Sequence, residues 1–186
     1  MPNPDLEGFR VAALVSDRFE ESELVGPKQA LEAAGAKVEI VSSQPELQAM
    51  RHFEPGGRYR CDQPLERARA ANYDALLLPG GVINGDQLRL QPDAQGFARE
   101  LVEAEKPVAV ICHGGWLLIS SGLVVGRKLT SWPTLQDDYR NAGAQWVDQE
   151  VVVDGNFVSS RKPDDIPAFN REMLRVFAAA RQAKAA

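Results

Sequence analysis

Apolar runs of four to eight residues alternate along this chain with longer stretches of helical periodicity. Phe9 to Ser16 (FRVAALVS) is apolar almost throughout, as a strand buried on both faces requires. Lys37 to Ser42 (KVEIVS), Tyr73 to Leu78 (YDALLL) and Val108 to Ile111 (VAVI) repeat that pattern. Between them the spacing predicts helices from about Ser22 to Ala34, from Leu65 to Ala71 and from Pro92 to Lys106. Gly35 is placed to stop the first helix, and Pro92 fits the first turn of the third. A further helix is expected over Gly114 to Ser121 and a closing one over Asp164 to Ala180. Late β-type pieces, Trp146 to Val153 and Asn156 to Ser160, flank Asp154-Gly155, a hairpin signal. Residues 43 to 63 read as irregular, with a turn at Pro55-Gly56-Gly57 and a short edge hairpin as an option.

Repeated strand–helix–strand units predict an α/β fold, a mostly parallel sheet with helices on both faces and antiparallel strands added at one edge. In such sheets ligands sit beyond the carboxyl ends of the strands. Three loops fall there: Asp17 to Glu23, Pro79 to Gln87 and Cys112 to Gly115. No composition shift divides the 186 residues, so one domain over 1–186 is expected.

Charge narrows the classes of function. The net charge of -5 repels phosphates, so no specific nucleic-acid partner is expected. MPNPDLEG lacks the pattern of a secretory signal and no apolar run would span a bilayer, so a cytoplasmic protein without a membrane partner is expected. With two cysteines a disulfide framework is excluded. Paired metal-ligand cysteines and H-E-x-x-H are absent from the sequence, and neither a metal nor a cofactor is expected.

Candidate chemistry centres on V-A-V-I-C-H-G-G-W. A buried strand ends at Cys112 and glycines follow, the outline of a nucleophile elbow. A helix end there would lower the thiol's pKa, whereas a buried structural cysteine is the plainer reading. Only His52 and His113 exist. No histidine lies downstream of His113, which disfavours a glutamine-amidotransferase triad. His113 can serve as base only if the elbow backbone is irregular, because consecutive helical residues do not face each other. His52 fits a solvated loop, and Cys61 a buried or edge-strand position. Gly80-Gly81 and the amide of His113 offer donors to an oxyanion. A glutamate of the first loop could reach the sulfur and stay protonated beside it; the same acids also suit a helix start capped by Ser22.

Together D-R-F-E-E-S-E-L, Y-D-A-L-L-L-P-G-G and A-V-I-C-H-G-G-W, with the stretch from L-T-S-W-P-T-L to K-P-D-D-I-P-A-F, resemble the PfpI family of intracellular cysteine proteases and stress proteins. That family belongs to the superfamily of the Parkinson-disease-linked deglycase. The resemblance runs from about residue 9 to 178. It implies a flavodoxin-like three-layer sandwich and a homodimer or higher homo-oligomer. By motif position it implies Cys112 as nucleophile, His113 as its partner, Glu23 as the acid at the sulfur and Gly81 in the oxyanion hole. Asp86 stands nearest to the acid that a neighbouring subunit supplies in family proteases, one residue displaced. Three functions follow as expectations. The first is a hydrolase of reactive carbonyls, of glyoxalase or deglycase type, acting on small carbonyl compounds or glycated proteins and peptides. The second is a peptidase using Cys112, His113 and Asp86 across an interface. The third is a sensor or chaperone working through oxidation of Cys112.

Overall fold

The computed structural model describes residues 5–185. Its elements, in chain order, are β1 (Arg10–Leu14), α1 (Glu21–Ala33), β2 (Lys37–Ser42), β3 (Glu46–Arg51), β4 (Glu54–Arg60), β5 (Gln63–Pro64), β6 (Ala75–Leu78), α2 (Val82–Arg89) and α3 (Pro92–Glu103). They continue with β7 (Val108–Ile111), α4 (Gly115–Ser120), β8 (Lys128–Leu129), α5 (Gln136–Asn141), β9 (Gln145–Trp146), β10 (Val151–Asp154), β11 (Phe157–Ser160) and α6 (Ile166–Ala185).

The main sheet has seven strands in the order β10-β11-β7-β6-β1-β2-β5. All neighbours pair in parallel except β10 and β11, the antiparallel edge. The apolar runs explain this burial residue by residue. Successive strand side chains point to opposite faces. Thus Val11 and Ala13 of β1, Leu77 of β6 and Ala109 and Ile111 of β7 enter one core with Leu24, Leu31, Phe169 and Phe177. Their neighbours Ala12, Leu14, Leu76, Leu78, Val108 and Val110 enter a second core with Phe97, Leu101, Leu117 and Leu118. The sheet is the middle layer, with α1 and α6 on one face and α2, α3 and α4 on the other.

Several expectations change. Within residues 43–63 the irregular reading gives way to the hairpin option: β3 and β4 pair antiparallel, with a register shift between Gln48 and Met50, in a sheet of their own. The turn is at His52 and Phe53, with His52 at φ 58, and Pro55-Gly56-Gly57 lies within β4. The glycines are there because the Glu21 carboxylate presses on them; it accepts from the Gly57 amide at 2.8 Å, from the Tyr59 hydroxyl at 2.9 Å and from Arg51. Leu65 to Ala71 is two short 3₁₀ turns, Leu65–Arg67 and Ala70–Asn72, rather than a helix. Pro79 to Gln87 is not a loop: α2 begins at Val82. Helix α1 begins at Glu21, so Ser22 lies inside it, and the Ser22 hydroxyl donates to Glu20 at 3.1 Å rather than capping the helix. Among the described residues no helix is long and apolar enough to cross a membrane.

Candidate active site

The ends of β1, β6 and β7 meet at one edge of the sheet, and each delivers one part of the site. After β7 the chain turns sharply: Cys112 has φ 61, a left-handed value that is costly for a residue with a side chain. Cys112–Gly114 is a 3₁₀ turn, not regular α-helix. This irregularity turns the imidazole back toward the sulfur, with His113 Nδ1 3.1 Å from Cys112 Sγ. The condition set by the sequence for a working Cys–His pair is met.

From α1, Glu23 reaches the same point, and its side chain is wholly buried. One carboxyl oxygen, Oε2, accepts the Gly80 amide at 2.9 Å. The other, Oε1, is buried with no hydrogen-bond partner in its surroundings. An ionised carboxylate cannot leave such an oxygen unpaired cheaply, whereas a protonated one turns it into a donor for the sulfur. Burial pushes the Glu23 carboxyl up from 4.5 to about 8, against the lowering pull of the neighbouring Cys112 thiol and the Gly80 amide. At neutral pH Glu23 therefore holds its proton.

The sulfur itself is buried, at 6% exposure. Burial, and then the charge of Glu23 when ionised, push the Cys112 thiol up; the amides of Gly81 and His113 pull it down. A thiol depressed by a helix end was expected from the sequence. That expectation fails for a physical reason: the helix after Cys112 starts only at Gly115 and runs six residues, too little dipole to outweigh desolvation. Instead, the amides of Gly81 and His113 are the groups that favour the sulfur's anion, and a protonated Glu23 would add a third donor. Burial also lowers His113 from 6.5 to about 4, so the imidazole is neutral at rest.

Gly80 is the residue that lets β6 and the elbow touch. A Cβ there would lie 2.6 Å from Cys112 Cβ and 2.9 Å from the His113 amide, and would strike Glu23 Oε2. The sequence offers Gly80 and Gly81 together as amide donors; the steric need for glycine at 80 comes from the approach of β6 to the elbow, which only the fold shows.

Above these groups opens a cleft of about 400 Å³ whose lining includes Glu20, His52, Phe53, Trp132, Lys162 and Asp164. Glu20 accepts the His52 backbone amide at 2.9 Å, which brings the β3–β4 turn to the cleft's rim. Cys112, His113, Glu23 and Gly81 are thus together. Asp86 is not among them: it is exposed on α2 and makes no hydrogen bond or ion pair among the described residues. Cys61 is elsewhere, half-buried behind β2, with its thiol pushed up by burial. Among the described residues no cluster of three or more His, Cys, Asp or Glu side chains could hold a metal ion.

A deglycase of Pyrococcus horikoshii is 41% identical over 168 residues, 90% of this chain and 99% of the relative. A protein/nucleic acid deglycase of Escherichia coli is 42% identical over 171 residues, 91% of this chain and 98% of the relative. Among solved structures, a two-domain Anabaena variabilis protein with DJ-1/ThiJ/PfpI-like and ferritin-like domains superposes with TM-score 0.84 at 32% identity, over 90% of this chain and 47% of that one. A ThiJ/PfpI domain protein of Brachyspira murdochii also gives TM-score 0.84, at 22% identity over 93% of this chain and 98% of that one, a likeness of fold. The sequence profile of the DJ-1/PfpI family matches residues 9–176, and on all of this the chain belongs to the DJ-1/PfpI family.

Proposed function

We propose that this protein is a cysteine-dependent enzyme of reactive carbonyls, of glyoxalase or deglycase type. The observation that carries the reading is the sulfur of Cys112 set between His113 Nδ1 at 3.1 Å and a buried Glu23 that keeps its proton. The relatives named as deglycases support the same class of substrate.

With methylglyoxal the reading runs as follows. Sγ attacks the aldehyde carbon while the thiol proton passes to His113 Nδ1. The carbonyl electron pair moves to oxygen, which takes the Glu23 proton and gives a hemithioacetal. The amides of Gly81 and His113 steady the developing oxyanion. Glu23, now ionised, takes the aldehyde-derived proton and returns it to the neighbouring carbon, while the hydroxyl proton passes from the first oxygen to the second, leaving the thioester of lactate. Water attacks the thioester carbon and gives a proton to Glu23, the sulfur leaves and takes back the His113 proton as thiol, and lactic acid departs as lactate and a solvent proton. With the adduct of an amine, the free amine is the second product.

The test is proton NMR of methylglyoxal with the protein and with its Cys112→Ala variant. Lactate should accumulate with the first and stay at the buffer rate with the second; equal rates would overturn the assignment. Hydrolysis of casein without lactate formation would point instead to the peptidase.

Asp86 enters this reading only through a second copy. Phe53 is 94% exposed and Val82 54%, both at the cleft, and Ile83 beside them is 37% exposed. Apolar side chains so placed fit a homo-oligomer interface that would bring the Asp86 of one copy toward the His113 of another. Sedimentation at the mass of one chain under assay conditions rules this arrangement out.

A further inference from the structure

Within one copy of the chain, His113 lacks the group that usually steers a catalytic imidazole. In Cys–His sites a third residue, most often a carboxylate or amide, fixes the ring. Here no carboxylate touches His113 among the described residues, and its one side-chain hydrogen-bond partner is Cys112. Two indoles contact it instead. Trp132 stacks on the imidazole, centroids 5.8 Å apart and planes 27° apart. Trp116 meets it edge-on at 5.1 Å and 64°.

Both indoles are themselves fixed. The Trp116 Nε1–H donates to Asp138 of α5 at 2.8 Å, and the Arg89 guanidinium lies 5.4 Å over its ring. Trp132 packs against both cores, and its amide donates to the Cys112 carbonyl at 3.4 Å. Helix α2 comes close enough to wall in Trp116 because residue 85 is glycine. A Cβ at Gly85 would lie 2.5 Å from the His113 carbonyl oxygen and 3.1 Å from Trp116 Cε3.

The geometry points to Trp116 and Trp132 as positioning residues that hold the His113 imidazole with Nδ1 against Cys112 Sγ, the part that a carboxylate plays in other Cys–His sites. Stacked rings restrain tilt and rotation, as a hydrogen bond would, but add no negative charge. They therefore keep the base neutral at rest. The ionisable groups around the imidazole are Cys112 on its own turn, Glu23 from α1, Arg89 and Asp138 across Trp116, and Glu20, His52, Lys162 and Asp164 at the cleft.

This inference deepens the carbonyl reading, but its main test needs no substrate. The chain has two histidines, and exposed His52 is an internal reference for a carbon-13 NMR titration of His113. Wild-type His113 should titrate near about 4. In Trp116→Leu and Trp132→Leu, water reaches the ring and its proton affinity should rise about tenfold or more toward the ordinary value. Turnover of methylglyoxal should lose about tenfold in kcat with little change in KM. Trp132→Phe, which keeps a stacking ring, should show smaller changes of both kinds. Folded leucine variants whose His113 titrates as in wild type overturn the inference. If the leucine variants do not fold, Trp132→Phe decides: an upward shift of about threefold supports it, and an unmoved titration overturns it. Were carbonyl turnover absent from the wild type, the titration would stand or fall alone.

Discussion

Gly80→Ala is expected to cost this protein both stability and its site. The added methyl meets Cys112 Cβ at 2.6 Å and the His113 amide nitrogen at 2.9 Å, besides the Glu23 carboxyl. Two of these three obstacles cannot swing aside. Cys112 is already pinned at φ 61, and the His113 amide belongs to the turn itself. Strand β6 and the elbow must therefore separate, which stretches the bond from the Gly80 amide to Glu23. Overpacking of this kind costs about 1–3 kcal/mol, and exposing the Glu23 carboxyl to water adds to the disturbance. Urea denaturation should show a lower midpoint with an unchanged slope. Iodoacetamide should label Cys112 at a different rate. A variant equal to wild type in both measurements would show that β6 and the elbow are not in contact.

Glu23→Gln should separate the two things the carboxyl does. The first is chemical. Glutamine can still accept the Gly80 amide and offer an N–H to sulfur, but as a weaker donor than a carboxylic acid. A hydrogen bond to a charged partner contributes about 1.5–3 kcal/mol, so partial loss should slow alkylation of Cys112 at neutral pH by about tenfold. Faster alkylation would mean that the charge of Glu23, not its proton, acts on the sulfur.

The second effect is on stability, and its sign is fixed by linkage. The folded carboxyl binds its proton up to about pH 8, the unfolded one only to 4.5. Between those values the folded chain carries the extra proton, so stability falls as pH rises through this window and levels off above it. At about 1.4 kcal/mol per unit, the loss reaches roughly 3 kcal/mol by neutral pH. The glutamine variant has no such slope. Its urea midpoint relative to wild type should therefore climb from pH 5 to pH 8. A constant difference would mean that Glu23 is ionised in the folded chain throughout.

Much of this was legible in the residues, and what was not had identifiable causes. Val108–Ile111 and Lys37–Ser42 fall where the apolar runs placed them, because strands buried on both faces leave an unbroken signal. Helix α2 was read as a loop because Val82, Ile83, Asn84 and Gly85 are poor helix formers. Packing of that segment on α4 and the elbow overrides its local preference. The turn at His52 and Phe53 carried no glycine to announce it, while Gly56 and Gly57 marked a close approach by Glu21 instead. Cys112, His113, Glu23 and Gly81, singled out by motif and position, lie together at the sheet edge. Trp116 and Trp132 went unremarked, since an aromatic's stacking partner is a property of three dimensions. The thiol's pKa was misjudged for a similar reason: helix position can be read from a string of residues, and burial only partly.

The bond that fixes Glu23 joins residues 57 positions apart, and β1, β6 and β7 must lie side by side before it can form. A chain still emerging or partly open has no such pairing, and its Cys112 is an ordinary solvated thiol. The burial of this sulfur and the donors grouped around it thus come from completed topology rather than from local sequence. An unfinished chain leaves open to solvent the sulfur that the finished fold encloses.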